Sequence, residues 1–530
     1  MSNRLAGTRV LLPALAKFDG RRFVPWIALV TALCASSVLA YPRVFPTQQD
    51  RLGLAAAVGS NPALSIIFGR PGDLLTADGF TAWRSLALGG FMAALAAVFT
   101  VTRATRGQED SGQAELLASG VMGRGTRLVS AVLLALAGSV LLGGISGVVT
   151  GLCGGSWEDS LLLGATFTAS GWMFAGVAAA AAQLAPDART ANSLAVSVLG
   201  VLFLLRGVLE ALAAPEWTTW LNPMSWISQT APAEADNWWP LLPAAVLALL
   251  LVGAAFALSA RRDFGQGALA PRPGPVDGGL RGPWSLALRL NRAAAFTWVI
   301  AFLVLGVVFG YLSTSVEDLL GTNQGAQQLL AGGAASSSEL TRSFIKTILS
   351  LVGIIAAVTG VQLMLRVRTE ELDRRLEPLL AAPLGRGTYY ASNAVPALLL
   401  PALLTLVSGT VIAAIAAALG TGVSFGSSFL QALLTIPAVW TAAAVGVAVV
   451  GVRPRFSIAA WVGVLLSFAL TLLGPTLRLS DLVLGLSPFW HVPTVTSGVP
   501  DLSGLLWGSA VTVVLVLAGF AGFRRRDIDA

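Results

Sequence analysis

Few side chains in this sequence could carry out covalent or nucleotide chemistry. The chain contains two lysines, Lys17 and Lys346, and neither ends the glycine-rich G-x-x-x-x-G-K-[ST] loop that cradles phosphates in ATP-binding proteins. The single histidine, His491, has no metal-binding or nucleophile motif around it, and Cys34 and Cys153 lack metal-ligand spacing. We therefore predict no catalytic residue, no metal site and no cofactor bound by this chain.

Two polar segments that repeat each other are more informative. Residues 106–126 and 368–388 align at a constant offset of 262 (368 minus 106). The identical positions are Arg106, Glu109, Glu115, Leu117, Gly123, Arg124, Gly125 and Thr126, which match Arg368, Glu371, Glu377, Leu379, Gly385, Arg386, Gly387 and Thr388. A solvated loop would need only basic residues on the inner side of a membrane. The acidic residues kept in both copies favour a short amphipathic helix that docks onto a partner protein.

Composition decides which elements position these segments. Of 530 residues, 55% are apolar and 12% charged, and the mean hydropathy is +0.76, whereas soluble proteins carry roughly 25% charge. This excludes a soluble enzyme. Apolar stretches near the length of about 20 residues that crosses a bilayer lie at about 24–43, 84–104, 127–150, 160–185, 190–212, 241–260, 293–313, 345–365, 389–419, 427–452, 456–475 and 505–523.

We predict an all-α polytopic membrane protein with about twelve spans, because only helices and closed barrels satisfy their backbone in lipid. Lysine and arginine collect on the side that holds both termini, which places the termini in the cytoplasm and predicts a multi-pass membrane protein. The net charge of +7 is scattered over short loops, so we expect contact with membrane lipid and no nucleic-acid binding.

The repeat predicts two parallel halves of six spans each. The motif at 221–223, L-N-P, recurs as L-S-P at 486–488, and the basic cluster at 261–263 recurs at 525–527. We assign residues 1–262 to the first half, 263–284 to a linker rich in glycine and proline, and 285–530 to the second half. Residues 10–22 and 284–292 are predicted to form helices lying in the membrane interface.

Two patterns within the predicted spans concern packing. Gly143, Gly147 and Gly151 repeat every fourth residue, which predicts close contact with a neighbouring helix. Arg206 and Glu210 share one helix face near the outer end of a span, and we interpret them as a local ion pair, with a gating role as the alternative.

Taken together, the twin segments and the paired L-[NS]-P motifs resemble the permeases of type-2 ABC exporters. The similarity is to the double-length form found in actinobacterial exporters of polyketide and ionophore antibiotics of the tetronasin type, and in multidrug efflux permeases. It implies that the chain lies in the plasma membrane of a bacterial cell, that the interfacial helices are elbow helices, and that 106–124 and 368–386 are cytosolic coupling helices. The implied ATPase-coupling residues are Glu109, Glu115, Arg124, Glu371, Glu377 and Arg386.

The resemblance also implies where the substrate passes. The second and fifth spans of each half would line the pathway, for which we select Phe91, Phe203, Trp461 and Phe468. Short re-entrant helices would cap the exit as an outer gate, with Pro223, Trp226, Pro488 and Trp490 as their residues; interfacial anchoring of the aromatic rings explains these positions equally well.

The resulting hypothesis is a permease subunit that exports hydrophobic or amphipathic compounds. Two separate ATPase subunits, expected to be a homodimer, would bind ATP and magnesium. A proton-coupled drug transporter of twelve spans is the main alternative, although almost no carboxylates lie deep in the spans. A sensor or scaffold of a resistance system that does not transport is the other.

Overall fold

A computed structural model gives the fold of the protein. It describes residues 5–59, 62–118, 123, 125–212, 214–261, 267–268, 282–313, 337–473, 480–495 and 502–527. Over these ranges the regular structure is helical, with no β-strand. The chain divides into two compact units, Met1–Gly274 and Pro275–Ala530. Most of the predicted linker, 263–284, lies outside the described residues.

The first unit consists of long apolar helices joined by short helical turns. In chain order its α-helices are α1 Thr8–Phe18, α2 Val24–Val44, α3 Gln48–Gly59, α4 Pro62–Phe68, α5 Ala77–Thr102, α6 Gln108–Asp110, α7 Gln113–Ala118, α8 Thr126–Leu152, α9 Trp157–Leu184, α10 Ala188–Ala211, α11 Glu216–Trp220, α12 Pro223–Trp226 and α13 Leu241–Arg261. At its centre, α9 packs against α5, α8 and α13. Phe167 and Phe174 of α9 are completely buried there.

The described residues of the second unit also form long apolar helices with short helices between them. They are α14 Pro283–Leu312, α15 Ser337–Leu372, α16 Leu376–Ala381, α17 Arg386–Ala418, α18 Phe425–Val452, α19 Ala459–Leu473, α20 Asp481–Leu484 and α21 Ser503–Arg525. Here α18 packs against α15, α17 and α21, while α14 packs along α17. Phe302, Leu349 and Val439 are among the side chains buried in the resulting core.

Eleven of the described helices are long and apolar enough to cross a membrane. The remaining predicted span, 456–475, corresponds to α19, whose 15 described residues reach about 22 Å at 1.5 Å per residue, and residues 474–479 lie outside the described ranges. The prediction of an all-α polytopic membrane protein is confirmed.

Glycine allows two of these spans to approach closely. A Cβ atom added at Gly143 of α8 would lie 2.1 Å from the carbonyl oxygen of Gly164 on α9, and one at Gly147 would lie 2.7 Å from that of Ser160. Only residues without a side chain permit such a distance between backbones. The predicted packing role of the glycine repeat is confirmed.

The two predicted interfacial helices differ. In the first unit, α1 is a separate helix that buries Leu11 and Leu15, and a 3₁₀ turn at Gly20–Phe23 separates it from the first span. In the second unit the prediction was wrong, because 284–292 forms the opening turns of the continuous helix α14. In the first unit the helix is interrupted at Gly20. In the second unit no glycine or proline follows Pro283 until Gly306, so the helix continues into the span.

Candidate functional site

The first polar segment leaves the membrane span α5 through a widened turn. Residues Arg103–Gly107 form a π-helical turn, α6 follows, and the chain then reverses at Gly112, whose φ is +73°. Glycine adopts this left-handed conformation without a steric cost. The reversal starts the short helix α7, whose second residue, Ala114, is completely buried.

Within this segment, Glu109 is turned into the protein. Its side chain is 5% exposed and accepts hydrogen bonds from Arg106 Nη1 at 2.7 Å and Arg127 Nη2 at 3.0 Å. Arg106 is completely buried, and its Nε donates to the carbonyl oxygen of Ala182 at 2.5 Å. One carboxylate therefore joins the segment to α8, and through Arg106 to the end of α9.

A second carboxylate ties the same segment to α10. Asp110 Oδ2 accepts a hydrogen bond of 2.7 Å from the backbone N–H of Ala188, the first residue of that helix. A negative charge is favourable at this position because it meets the positive end of the helix dipole. The first polar segment thus contacts three membrane spans through charged groups.

In the second unit the corresponding segment makes the same turn. The chain reverses at Arg374, whose φ is +54°, and 374 minus 262 gives 112, the position of the left-handed glycine in the first copy. The helix α16 follows, with Leu376 buried where Ala114 is buried in the first copy. The two copies therefore share a backbone conformation as well as identical residues.

Glu371 matches Glu109 and is also buried, with a side chain 1% exposed. It pairs with Arg368 at 3.2 Å and with Arg526, which lies just beyond the end of α21. Arg386 Nη1 donates to the carbonyl oxygen of Arg526 at 3.0 Å, so two residues of the segment hold the same arginine. These contacts connect the second segment to the end of the span α21.

Next to it, Glu370 occupies a polar cluster at the base of α17. It accepts a hydrogen bond of 2.6 Å from the hydroxyl of Tyr389 and lies 3.6 Å from Arg366 Nε. Arg366 Nη1 donates to Asn291 Oδ1 of α14 at 2.7 Å. These contacts join the ends of three spans, α14, α15 and α17.

Among the four predicted coupling glutamates, Glu115 and Glu377 face outward. Each is exposed and directly follows the buried anchor residue of its short helix. Arg386 is also exposed, whereas Arg124 lies outside the described residues. Glu109 and Glu371 point inward, so Glu115, Glu377 and Arg386 are the described coupling residues that a partner could reach.

Two of the predicted pathway residues meet. The ring centroids of Phe91 on α5 and Phe203 on α10 are 4.9 Å apart, and the guanidinium carbon of Arg206 lies 4.9 Å from the centroid of the Phe203 ring. In the second unit, Trp461 of α19 is half-buried against the core and Phe468 is 43% exposed. The aromatic pair in the first unit is therefore in contact with a buried charge.

Arg206 and Glu210 form a network that is larger than the local pair we predicted. Arg206 is completely buried and donates to Glu210 Oε1 at 3.1 Å and to the carbonyl oxygen of Ile67 at 2.9 Å. Glu210 Oε1 accepts from the hydroxyl of Ser228 at 2.7 Å, and its carbonyl oxygen accepts from Arg70 Nε at 2.9 Å. The network joins α10 to the chain segments before α5 and after α12.

The predicted gate residues lie in short helical turns that begin at the prolines. Pro223 is the first residue of α12, and Asn222 caps that helix while its Nδ2 donates to the carbonyl oxygen of Leu202 on α10 at 2.9 Å. Trp226 Nε1 donates to the carbonyl oxygen of Trp220 at 2.9 Å. In each unit the residue before the proline contacts the helix that corresponds to the fifth predicted span.

The second copy of that motif has a looser arrangement. Pro488 begins a 3₁₀ turn, Pro488–His491, in which Trp490 is 46% exposed. Ser487 Oγ lies 3.3 Å from Thr471 Oγ1 on α19. Among the described residues, no group of three His, Cys, Asp or Glu side chains is placed to hold a metal ion.

These partners explain what sequence reasoning missed. Arg127 and Arg526 are functional candidates that we did not select, and they lie 18 and 155 residues from the glutamates they bind. The only signal for Arg526 was its place in the repeated basic cluster. That cluster does not reveal which acid it meets.

The helices and their paired polar segments define an all-α polytopic membrane protein. The family described as multidrug efflux system permease Rv1217c, C-terminal domain, matches residues 52–258 and 280–524. The multidrug efflux system permease protein Rv1217c of Mycobacterium tuberculosis (strain ATCC 25618 / H37Rv) is 35% identical over 538 residues, covering 98% of this chain and 95% of the relative. The chain belongs to this family of efflux permeases, and its part in efflux is that of a membrane-spanning transport subunit.

Proposed function

We propose that this permease is the membrane subunit of an ATP-driven ABC exporter of the double-length type-2 kind. Two ATPase subunits, expected to be identical, bind ATP and magnesium and dock from the cytoplasm, where both termini lie. One chain supplies both halves of the pathway, 1–262 and 285–530, joined by the linker 263–284. The name of the relative, an efflux system permease, agrees with a protein that works with further components.

The observation that carries this proposal is the repeated docking geometry. In both units a left-handed turn is followed by a short helix with a buried anchor, and an exposed glutamate stands next to the anchor. The residues concerned are Ala114 with Glu115 and Leu376 with Glu377. A partner with two similar grooves would meet two similar helices, which is the symmetry expected for a dimer.

The ion pairs behind the short helices would transmit movement. Closure of the ATPase dimer would displace the two segments, and Glu109, Asp110 and Glu371 would carry this displacement into the spans they bind. Rigid helices with two packing arrangements convert such a shift into a change of access. The pathway would then open alternately toward the inside and the outside.

The expected substrates are hydrophobic or amphipathic compounds such as antibiotics of the tetronasin type and other drugs. Support comes from the word multidrug in the name of the relative and from the aromatic pair Phe91 and Phe203. Apolar pockets with a few polar groups suit such molecules. Trp461 and Phe468 would serve the second half of the pathway, and the turns at Pro223, Trp226, Pro488 and Trp490 would form the outer gate.

Charge reversal at the exposed glutamates tests the proposal. We expect Glu115→Lys or Glu377→Lys to lower the ATPase activity stimulated by substrate at least tenfold, about 1.4 kcal/mol of coupling, and to weaken copurification with the ATPase. The reason is that the introduced lysine would repel the basic groups with which the partner would bind each carboxylate. Hydrolysis and transport would be measured in proteoliposomes.

Glu216→Lys is the matched control, because Glu216 is exposed on α11, away from both segments. It should leave copurification and transport unchanged. Unaltered coupling in both segment variants would contradict the docking sites. Transport by the purified chain on a pH gradient alone would replace the ATP-driven hypothesis with the proton-coupled one, and copurification without stimulated hydrolysis would favour the sensor or scaffold.

A further inference from the structure

A cavity in the second unit is lined by unusually many arginines. It has a volume of about 400 Å³ and lies between the end of α18, the turn that follows it and the end of α21. Its lining comprises Val452, Arg453, Pro454, Arg455, Phe456, Arg526 and Asp527. Three guanidinium groups thus surround one cavity against a single carboxylate.

Much of this positive charge has no partner among the described residues. The side chains of Arg453 and Arg455 are exposed and make no ion pair or hydrogen bond there. Arg526 binds Glu371 through Nη2, but its Nε and Nη1 atoms are buried without an acceptor. Buried donors of this kind are costly unless something accepts from them. The cavity therefore concentrates positive charge, which Arg453 and Arg455 present at its surface.

The position of the cavity matches the headgroup region of a bilayer. The helix α21 has 23 residues and is about 34 Å long at 1.5 Å per residue, slightly more than the hydrocarbon thickness of about 30 Å. Arg526 follows its last residue, and Arg453 follows the last residue of the span α18. Both arginines are thus placed where lipid phosphates lie.

Apolar side chains beside the arginines indicate which anion fits. Phe456 is 61% exposed and Ile458 is 82% exposed, next to the half-exposed Val452. Inorganic phosphate would make no use of these surfaces, whereas the glycerol backbone and acyl chains of a lipid would cover them. Guanidinium forks bind phosphate oxygens in pairs.

We propose that this cavity binds the phosphate of an anionic phospholipid. The exposed guanidinium groups of Arg453 and Arg455 hold the phosphate, Arg526 adds positive charge behind them, and the acyl chains run along Phe456 and Ile458. Basic pockets between membrane helices are a known mode of lipid headgroup recognition. The site is independent of the energy source of transport.

The test compares lipids by thermal unfolding of the purified full-length chain in mixed micelles. Dioleoyl phosphatidylglycerol should raise the unfolding midpoint in a saturable way, and dioleoyl phosphatidylcholine should not. In the double variant Arg453→Gln/Arg455→Gln, the apparent affinity for phosphatidylglycerol should fall at least tenfold, because two charge-assisted contacts are lost. Both side chains are exposed, so the variant keeps the fold.

Arg189→Gln is the control, since Arg189 is an exposed arginine in the first turn of α10, just after the corresponding connection of the first unit. It should bind phosphatidylglycerol like the unmodified chain. Unchanged affinity in the double variant would overturn the proposal. Equal stabilisation by inorganic phosphate, with no further gain from the lipid, would overturn it as well. If the double variant lost copurification with the ATPase but kept its lipid binding, Arg453 and Arg455 would be a protein contact and the lipid site would be contradicted.

Discussion

Within one polar segment, neighbouring carboxylates have opposite surroundings. Glu109 and Glu371 are buried between arginines, whereas Glu115 and Glu377 face outward. Removing one member of a buried ion pair leaves an unbalanced charge and typically costs about 3–5 kcal/mol, while an exposed carboxylate contributes little. Glu109 and Glu371 therefore stabilise the position of their segments, and Glu115 and Glu377 are accessible to a partner.

At Arg374, the backbone has a conformation that does not suit its side chain. Its φ of +54° is left-handed, which costs a residue with a Cβ atom about 1 kcal/mol. We predict that Arg374→Gly stabilises the second unit by about 0.5–1 kcal/mol. The unfolding midpoint in denaturant would be the measurement.

The first copy supplies the reverse experiment. Gly112 holds the matching position with a φ of +73°, and a Cβ there would have nothing within 4 Å. Gly112→Ala should therefore destabilise the protein by about 1 kcal/mol through backbone strain alone. If both substitutions shifted the midpoint in the same direction, the left-handed turn would not be the cause.

For the helices, the close contact between α8 and α9 makes a sharp prediction. Gly143→Ala would place a Cβ 2.1 Å from the carbonyl oxygen of Gly164, so the two helices would have to move apart. Overpacking of this kind costs about 1–3 kcal/mol. We expect a lower thermal unfolding midpoint in detergent.

The adjacent residue gives a matched control for that variant. Gly144 is exposed, and a Cβ there meets nothing within 4 Å. Gly144→Ala should be neutral or stabilise the helix by up to about 1 kcal/mol, because alanine is the better helix former. An equal loss in both variants would mean that helix contact is not what the glycine provides.

For the helical elements, hydropathy predicts most of what the structure contains. Long apolar runs with short charged connections fix the spans and the class of fold, because lipid leaves the backbone no other solution. The elbow in the second unit was predicted from its match to 10–22, but α14 has no helix-breaking residue to end it. The repeat therefore preserves the polar segments better than the connections before them.

In the whole molecule, each buried glutamate also binds an arginine from another helix or its end. Arg127 holds Glu109 from the start of α8, whereas Arg526 holds Glu371 from the far end of the chain. The residue that corresponds to Arg127 in the second unit is Tyr389, which binds Glu370 instead. Each glutamate thus binds the matching arginine, Arg106 or Arg368, and a further described arginine from a position that does not match.

The ion pair between Arg526 and Glu371 predicts a local effect of Arg526→Ala. Loss of the mostly buried ion pair should speed amide hydrogen exchange in 368–381 at least tenfold, about 1.4 kcal/mol of local stability. Exchange in 106–118 should stay unchanged, because Arg127 still holds Glu109. The experiment uses mass spectrometry of the purified chain.

Arg525→Ala is the appropriate control, since Arg525 is exposed and ends α21 without contacting Glu371. It should leave exchange in both segments as it is. Faster exchange in both segments of the Arg526 variant would indicate general loosening of the protein rather than loss of one contact.

The candidate site could be predicted only in part. The outward position of Glu115 and Glu377 follows from local sequence, because each begins a short helix beside an apolar residue. The inward position of Glu371 depends on Arg526, 155 residues away, and the burial of Arg206 depends on Ile67, 139 residues away. Local periodicity contains no information about such distant partners. The repeat does not identify them either, because the described partners of Glu109 and Glu371 include residues at non-matching positions.

The distances along the chain between the ionic partners set an order for assembly. Arg106, Glu109 and Arg127 lie within one short stretch, so the ribosome has released all three soon after the third span begins to emerge. Glu371 binds Arg526, which is synthesised only after the span α21. During synthesis, Glu109 can therefore meet Arg106 and Arg127 early, whereas Glu371 lacks Arg526 until the span α21 has been made.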